Sequence, residues 1–128
     1  MKILLDTHTL LWWWTDDPQL PEVPRALMAD PANELLVSSV SAWEVSTKYR
    51  LGKLPEAKEI AEDFAALVES SQMTPLPITI EHALRAGALE RYHRDPFDRM
   101  LIAQSQVERV AVVTKDATFA DYDIDLLW

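Results

Sequence analysis

The chain has 128 residues, 48% of them apolar, and it can therefore bury a core as one domain spanning residues 1–128. It contains no cysteine, which excludes disulfides and cysteine-ligated zinc and fits a reducing compartment such as the cytoplasm. The net charge of −9 argues against simple electrostatic attraction to nucleic acid, and two glycines are too few for a phosphate-binding glycine loop.

The N-terminal segment predicts a buried strand followed by a helix. Lys2–Asp6 is a short apolar run that suits a strand buried on both faces. Its acid comes too early for a signal peptide, and no stretch of the chain approaches the ~20 apolar residues of a membrane span. A helix over Thr7–Trp14, a second over Pro21–Ala29 and a buried strand over Leu35–Ser38 follow.

The middle of the chain predicts two helices and an edge strand. Ser41 starts a helix that runs to about Leu51, and Gly52 is a natural stop just past its end. Residues 57–71 have apolar side chains at helical spacing. Residues 74–80 are extended but interrupted by prolines, so they form at most an edge strand.

The C-terminal third predicts helices over Glu81–Tyr92 and Pro96–Glu108 and a buried strand over Val110–Thr114. A helical turn at Ala117–Ala120 and a short strand at Asp125–Trp128 complete the chain. Apolar strands that alternate with helices indicate an α/β fold with a parallel sheet covered on both faces.

Four acidic residues each follow the end of an apolar run: Asp6, Glu44, Asp98 and Asp116. In an open α/β sheet, active sites gather at the carboxyl ends of the strands, so these acids could meet in one pocket. Carboxylates held that close repel one another unless a cation lies between them. The pattern therefore predicts a metal site, and an acidic metal cleft is one explanation of the net charge beside a plain acidic surface or a basic partner protein.

The first two acids also have local structural explanations. Asp6 could cap the helix that starts at Thr7. Glu44 could close a capping box with Ser41 and form an i,i+4 pair with Lys48. Position after a buried strand favours a functional role for Asp6. The local pattern alone favours the structural role for Glu44, but a helix that begins just after a strand places Glu44 beside the same cleft as Asp6.

The other two acids have similar alternatives. Asp95 fits the cap of the helix at Pro96, so we assign the cap to Asp95 and the chemistry to Asp98. Asp116 could cap the turn that follows it. Thr114 lies two residues earlier on the same side of the extended chain, where it could steady a carboxylate or a water molecule.

An unusually apolar segment, Leu10–Trp14, covers most sides of the first helix. It predicts either a core helix with one tryptophan at the surface or an interface with another chain. The single basic cluster could contact phosphates or merely offset nearby acids. It consists of Arg91, Arg94 and Arg99 with His93. The histidines His8, His82 and His93 lack metal-ligand spacing, which favours passive surface roles.

Four segments in this order resemble the PIN-domain family, specifically the small VapC-like toxins of toxin–antitoxin pairs. The segments are Leu4-Leu5-Asp6-Thr7-His8, Ser38-Ser39-Val40-Ser41-Ala42-Trp43-Glu44, Asp95-Pro96-Phe97-Asp98-Arg99-Met100-Leu101-Ile102-Ala103-Gln104 and Val112-Val113-Thr114-Lys115-Asp116. Each is weak alone, but their order and spacing over the whole chain are specific.

The resemblance implies a three-layer α/β/α fold with a central, mainly parallel sheet and a Mg²⁺- or Mn²⁺-dependent endoribonuclease. It implies that Asp6, Glu44, Asp98 and Asp116 form the acidic cluster, with Asp6 and Asp98 as direct metal ligands. Thr7 and Thr114 would support the site, and Arg91, Arg94 and Arg99 are candidate phosphate contacts. It also implies a homodimer and a cognate antitoxin partner.

Two other functions remain open from the sequence. A haloacid-dehalogenase-like phosphatase would use Asp6 as a nucleophile, but that family needs a second aspartate where this chain has His8. A PIN-like interaction protein without activity would not need all four acids.

Overall fold

The computed structural model describes residues 1–128 and consists of a five-stranded sheet flanked by helices. The strands are β1 (Lys2–Leu5), β2 (Glu34–Ser38), β3 (Thr74–Leu76), β4 (Ala111–Val113) and β5 (Leu126–Leu127). The α-helices are α1 (Thr7–Trp14), α2 (Glu22–Ala29), α3 (Ser39–Arg50), α4 (Lys58–Glu62), α5 (Phe64–Ser70), α6 (Ile80–Ala88) and α7 (Pro96–Glu108). Short 3₁₀ turns lie at Pro55–Ala57 and Ala117–Tyr122.

All neighbouring strands pair in parallel, in the order β3-β2-β1-β4-β5. The central strand β1 pairs with β2 on one side and β4 on the other, with Leu4 opposite both Leu36 and Val112. The proline-interrupted segment forms the edge strand β3. The predicted parallel α/β sheet is thus confirmed.

Side chains of β1 alternate between two cores, one on each face of the sheet. Leu4 packs in a cluster with Ile102 of α7 and Phe119. Ile3 and Leu5 pack on the opposite face. Because every one of these strand residues is fully buried, each face needs its own layer of helices, and the result is the predicted α/β/α arrangement.

The tryptophan-rich helix α1 packs largely within the molecule. Trp12, Trp13 and Trp14 are partly buried against the core on the Ile3 face. The indole N–H of Trp14 donates a hydrogen bond to Ser71 Oγ at 2.9 Å. These contacts match the core-helix alternative, and an interface with another chain stays a prediction.

The predicted helices over residues 57–71 and Glu81–Tyr92 have different bounds in the structure, as does the start of α3, which is Ser39 and not Ser41. Residues 57–71 form two helices, because the backbone of Asp63 leaves the helical region (φ −118°, ψ 24°). The break lets Ile60 pack beside α1 and α3 while Val68 reaches the sheet, which one straight helix could not serve. The next helix, α6, stops at Ala88 instead of Tyr92, since the Arg99 guanidinium donates hydrogen bonds to the carbonyls of its last turn.

The helix α3 ends as predicted from its glycine. Gly52 follows the last turn with φ 74°, a left-handed conformation that glycine adopts without steric cost, and its N–H donates to the carbonyl of Tyr49. None of the helices is long and apolar enough to cross a lipid bilayer.

Candidate metal centre

The four predicted acids line one cleft at the carboxyl edge of the sheet. Asp6 directly follows β1, and Asp116 follows β4. Glu44 and Asp98 do not directly follow strands, which corrects the idea that each acid ends an apolar run: Glu44 lies inside α3, and Asp98 lies in the first turn of α7, within the predicted helix. Helices that pack antiparallel to the strands bring their N-terminal turns to the same edge, and this places Asp98 and Glu44 there. The cleft has a volume of about 470 Å³ and is lined by Asp6, His8, Trp12, Glu44, Lys48, Asp95, Asp98, Lys115, Asp116 and Ala117.

Asp6 is 7% exposed and serves both local structure and the cleft. One carboxylate oxygen accepts the N–H of His8 at 3.4 Å, so Asp6 does cap α1, while the other accepts the hydroxyl of Thr114 at 2.6 Å. Burial raises the pKa of Asp6, the hydrogen bond from Thr114 opposes the rise, and the nearby Glu44 adds to it.

Glu44 carries an unpartnered oxygen in a buried place. The side chain is 2% exposed; Oε2 accepts from the ammonium of Lys48, whereas Oε1 has no hydrogen-bond partner. The capping-box alternative is wrong, because α3 starts two residues earlier than predicted and Ser38 is its cap. Ser41 instead shares a hydrogen bond with the Thr7 hydroxyl at 2.8 Å, which ties α3 to the start of α1.

The assignment of the cap of α7 to Asp95 is confirmed. The Asp95 carboxylate accepts the N–H groups of Phe97 and Asp98 at 2.8 and 3.3 Å, which leaves the Asp98 side chain free of capping. Burial, followed by the charges of Asp95, Asp6, Glu44 and Asp116, raises the pKa of Asp98 from 3.8 to about 8. Such a rise marks a carboxyl group surrounded by like charges in a poorly solvated place.

Asp116 is the most fully hydrogen-bonded of the four acids. Its Oδ1 accepts the N–H and the hydroxyl of Thr118 at 3.0 and 2.7 Å, so the predicted turn cap is present. Burial would raise the pKa of Asp116, but the hydrogen bonds from Thr118 and His93 outweigh it and lower the pKa. Thr114 accepts the N–H of Asp116 at 3.0 Å while it donates to Asp6, and it thereby links two of the acids.

The prediction of passive surface roles for the histidines is wrong for two of them. His93 Nε2 lies 3.0 Å from Asp98 Oδ2 and 3.3 Å from Asp116 Oδ2, and ligand atoms of these three residues fall within 4.8 Å of one another. His82 is buried and caps α6 by accepting the N–H of Thr79. Sequence spacing could not reveal His93, whose only signal is its place just before the helix that carries Asp98.

The three arginines of the basic cluster differ in whether the protein itself already hydrogen-bonds their guanidinium groups. Arg99 donates hydrogen bonds to the carbonyls of Ala86, Leu89, Glu90 and His93, so its guanidinium is committed to holding the chain between α6 and α7. Arg91 and Arg94 are exposed and line a second cavity of about 670 Å³ together with His93. Of the three predicted phosphate contacts, only Arg91 and Arg94 thus have guanidinium groups that the protein itself does not occupy.

The donor set of the cleft fits a hard divalent cation. Glu44 Oε1 and one oxygen of Asp98 accept no hydrogen bond, and Asp6 Oδ1 accepts only the long one from His8. Carboxylate oxygens are the ligands that Mg²⁺ and Mn²⁺ prefer. An unpartnered oxygen on a buried glutamate costs free energy unless a cation or water satisfies it, and the cleft therefore matches a metal centre.

The raised pKa of Asp98 predicts a pH dependence of both stability and metal binding. Between pH 3.8 and about 8 the folded metal-free protein keeps a proton that the unfolded chain has lost. This contribution to stability is full below the unfolded pKa and is lost as pH rises to about 8. Divalent affinity should rise over the same range, because the cation must displace that proton.

The difference in melting temperature between the wild-type protein and Asp98→Asn, followed over pH without metal, isolates the contribution of Asp98 from that of other groups. Titration calorimetry in buffers of different ionisation enthalpy counts the protons released on Mg²⁺ binding. Equal pH profiles of the two proteins, with no proton release, would contradict the raised pKa.

Comparison with known proteins gives a consistent picture. The family model described as PIN domain matches residues 3–125. The chain is 28% identical over 115 residues to the ribonuclease VapC22 of Mycobacterium tuberculosis, covering 89% of this chain and 86% of that protein. It is 37% identical over 64 residues to the ribonuclease VapC16 of the same organism, covering 50% of this chain but only 45% of that protein.

Among solved structures, the fold resembles a chain of a toxin–antitoxin complex from Klebsiella pneumoniae. The TM-score is 0.66 at 22% identity, over 92% of this chain and 90% of that chain. At that identity the likeness concerns the fold.

Proposed function

The chain belongs to the PIN-domain family, and from this membership and its acidic cleft we propose that it is a Mg²⁺- or Mn²⁺-dependent endoribonuclease, a single nuclease domain over residues 1–128 that acts as the toxin of a toxin–antitoxin pair. The phosphatase alternative does not fit the family. The relatives of this chain, VapC16 and VapC22, are ribonucleases by name, which supports RNA hydrolysis as the reaction class.

The observation that carries the proposal is the buried Oε1 of Glu44, which has no partner in a cleft shared with Asp6 and Asp98. Lys48 neutralises only one of the acids around it, since it bonds Oε2 of Glu44. The remaining negative charge needs a further cation for the cleft to admit a phosphodiester. Without a bound cation, the carboxylates would repel the phosphate.

We assign distinct roles to the acids. Asp6, Glu44 and Asp98 have oxygens available to hold a divalent cation, with Thr114 fixing the orientation of Asp6. A cation bound there would supply a Lewis acid that polarises the phosphodiester and lowers the pKa of an attacking water. Asp116, held by Thr118 and ionised because its pKa is lowered, faces the same cleft and can orient a water molecule.

Basic residues beside the cleft offer local attraction that the net charge of −9 does not provide. Lys48 and Lys115 line the cleft itself. We propose that Arg91 and Arg94, in the adjoining cavity, contact RNA phosphates to one side of the cleaved bond. Arg99 is left out because its donors are used within the protein.

The partner proteins are also part of the proposal. The Klebsiella pneumoniae structure with the same fold is a toxin–antitoxin complex by its title, and this supports a cognate antitoxin for the present chain. The family resemblance supports a homodimer. Size-exclusion chromatography with light scattering, with and without a candidate antitoxin, tests both.

The test of the proposed function is cleavage of a mixed RNA by the purified protein. We expect internal cleavage with Mg²⁺ or Mn²⁺, full arrest by EDTA and recovery when excess metal is returned. A single-stranded DNA in a parallel reaction defines the substrate range. Cleavage that continues in EDTA would show that the protein uses another chemistry. Absence of cleavage with either metal would indicate an inactive PIN-like interaction protein.

A further inference from the structure

His93 is a side chain in the cleft that the roles above do not use. Its side chain is 16% exposed, and its Nε2 lies 3.0 Å from Asp98 Oδ2 and 3.3 Å from Asp116 Oδ2. One imidazole nitrogen thus faces one oxygen of each of two acids. The question is whether that nitrogen offers a lone pair to a cation or a proton to the carboxylates.

The hydrogen bond of the other ring nitrogen, Nδ1, decides between these two alternatives. Asp95 donates its backbone N–H to His93 Nδ1 at 3.2 Å, so Nδ1 carries the lone pair of this hydrogen bond. A neutral imidazole has one proton, and that proton must then be on Nε2. Nε2–H therefore donates to Asp116 Oδ2, lies 3.0 Å from Asp98 Oδ2, and has no lone pair for a metal ion.

The protein holds this ring from several sides. The backbone N–H of His93 donates to Tyr122 Oη at 2.6 Å, and its carbonyl accepts from Arg99 at 3.2 Å. The ring packs edge-on to Phe119, with centroids 5.9 Å apart. Tyr122 is fixed in turn, because its hydroxyl donates to the carbonyl of Glu90 at 2.8 Å. The ring is therefore held in one place beside Asp98 and Asp116.

The contacts of His93 distinguish the two acids. Asp116 accepts from His93 at Oδ2 and from Thr118 at Oδ1, so both of its oxygens are occupied. Asp98 has Oδ2 against His93 Nε2 at 3.0 Å, and its other oxygen has no partner. We propose that His93 is a positioning residue: its Nε2–H holds Asp116, and its ring edge lies against Asp98 Oδ2, so that Asp98 presents its other oxygen to the divalent cation. This inference rests on the proposed metal-dependent function, and side chains that contact and orient ligating carboxylates are a general feature of metal sites.

Two variants distinguish the effect of the Nε2–H donor from the effect of the aromatic ring. His93→Phe keeps a ring against Phe119 but removes Nε2–H. His93→Gln places an amide N–H near the position of Nε2 and loses the ring. We expect His93→Phe to weaken Mn²⁺ binding by about 10–100-fold and to lower kcat with little change in the KM for RNA, because the metal and not the RNA loses its support. His93→Gln should recover Mn²⁺ affinity to within about fivefold of wild type.

Mn²⁺ affinity is measured by titration calorimetry, and pulsed electron paramagnetic resonance of the wild-type Mn²⁺ complex reports nitrogen ligands without any variant. The inference predicts no directly bonded nitrogen. A strong nitrogen coupling, wild-type affinity in His93→Phe, or equal losses in both variants would overturn it. Absence of Mn²⁺ binding by the wild-type protein would instead reject the proposed function and this inference with it.

Discussion

Asp98→Asn is expected to reduce metal-dependent RNA cleavage by more than about 100-fold, since changes behind a metal ligand already cost about 10–100-fold. The same variant should melt at a higher temperature than wild type when metal is absent. Burial and four neighbouring carboxylates raise the pKa of Asp98 to about 8, so the folded metal-free protein must keep a proton that the unfolded chain releases, and an amide removes this cost of folding. About 1 kcal/mol changes the melting temperature of a domain of this size by roughly 4 °C, so the shift is measurable.

The measurement is a pair of thermal melts for each protein, with and without Mg²⁺, beside the RNA cleavage rate. Mg²⁺ should stabilise the wild type and leave Asp98→Asn unchanged. Asp95→Asn is the matched control, because asparagine also caps helices and Asp95 uses its side chain for that purpose. Asp95→Asn should cleave RNA within a few-fold of wild type. Equal losses in the two variants would show that charge alone, and not a ligand at Asp98, matters.

Glu44→Gln is expected to reduce cleavage by a similar factor of more than about 100, but with the opposite effect on the metal-free protein. Glu44 is the anionic partner of Lys48, whose side chain is only 24% exposed. Without that carboxylate the ammonium loses its charged partner in a partly buried place, which costs about 1–3 kcal/mol. The two variants should therefore both lose the Mg²⁺ effect while their melting temperatures move apart.

Titration calorimetry with Mg²⁺ and thermal melts distinguish these outcomes. Glu69→Gln, which removes an exposed carboxylate from α5, controls for the change in net charge and should behave as wild type. If Glu44→Gln retains Mg²⁺ affinity, then the unpartnered Oε1 is satisfied by water and Glu44 serves only to hold Lys48.

The fold was predictable because strands buried on both faces of a sheet appear in the sequence as short, continuous runs of apolar residues. Ile3, Leu4 and Leu5 are continuous apolar residues, and this pattern separates a central parallel strand from a half-exposed one. Helix bounds that depend on tertiary contacts were not predictable. The break at Asp63 separates two short helices that pack against two different apolar clusters, and the end of α6 depends on Arg99 from another helix.

The candidate site was predictable to the extent that topology fixes it. Asp6 and Asp116 follow strands, and Asp95 with Pro96 identifies the start of the helix that bears Asp98. The place of Glu44 in the cleft depended on Ser38 capping α3, two residues before the expected start. His93 was missed because it is a loop residue whose position in the cleft depends on tertiary contacts with Tyr122, Arg99 and Phe119, and such contacts give no periodic signal in the sequence.

The most direct test of the metal centre is anomalous diffraction from crystals of the wild-type protein soaked in Mn²⁺. We predict a peak in the cleft, within bonding distance of carboxylate oxygens of Asp6, Glu44 and Asp98. A cleft that stays free of Mn²⁺ at saturating concentration, with ions bound only elsewhere, would contradict the account.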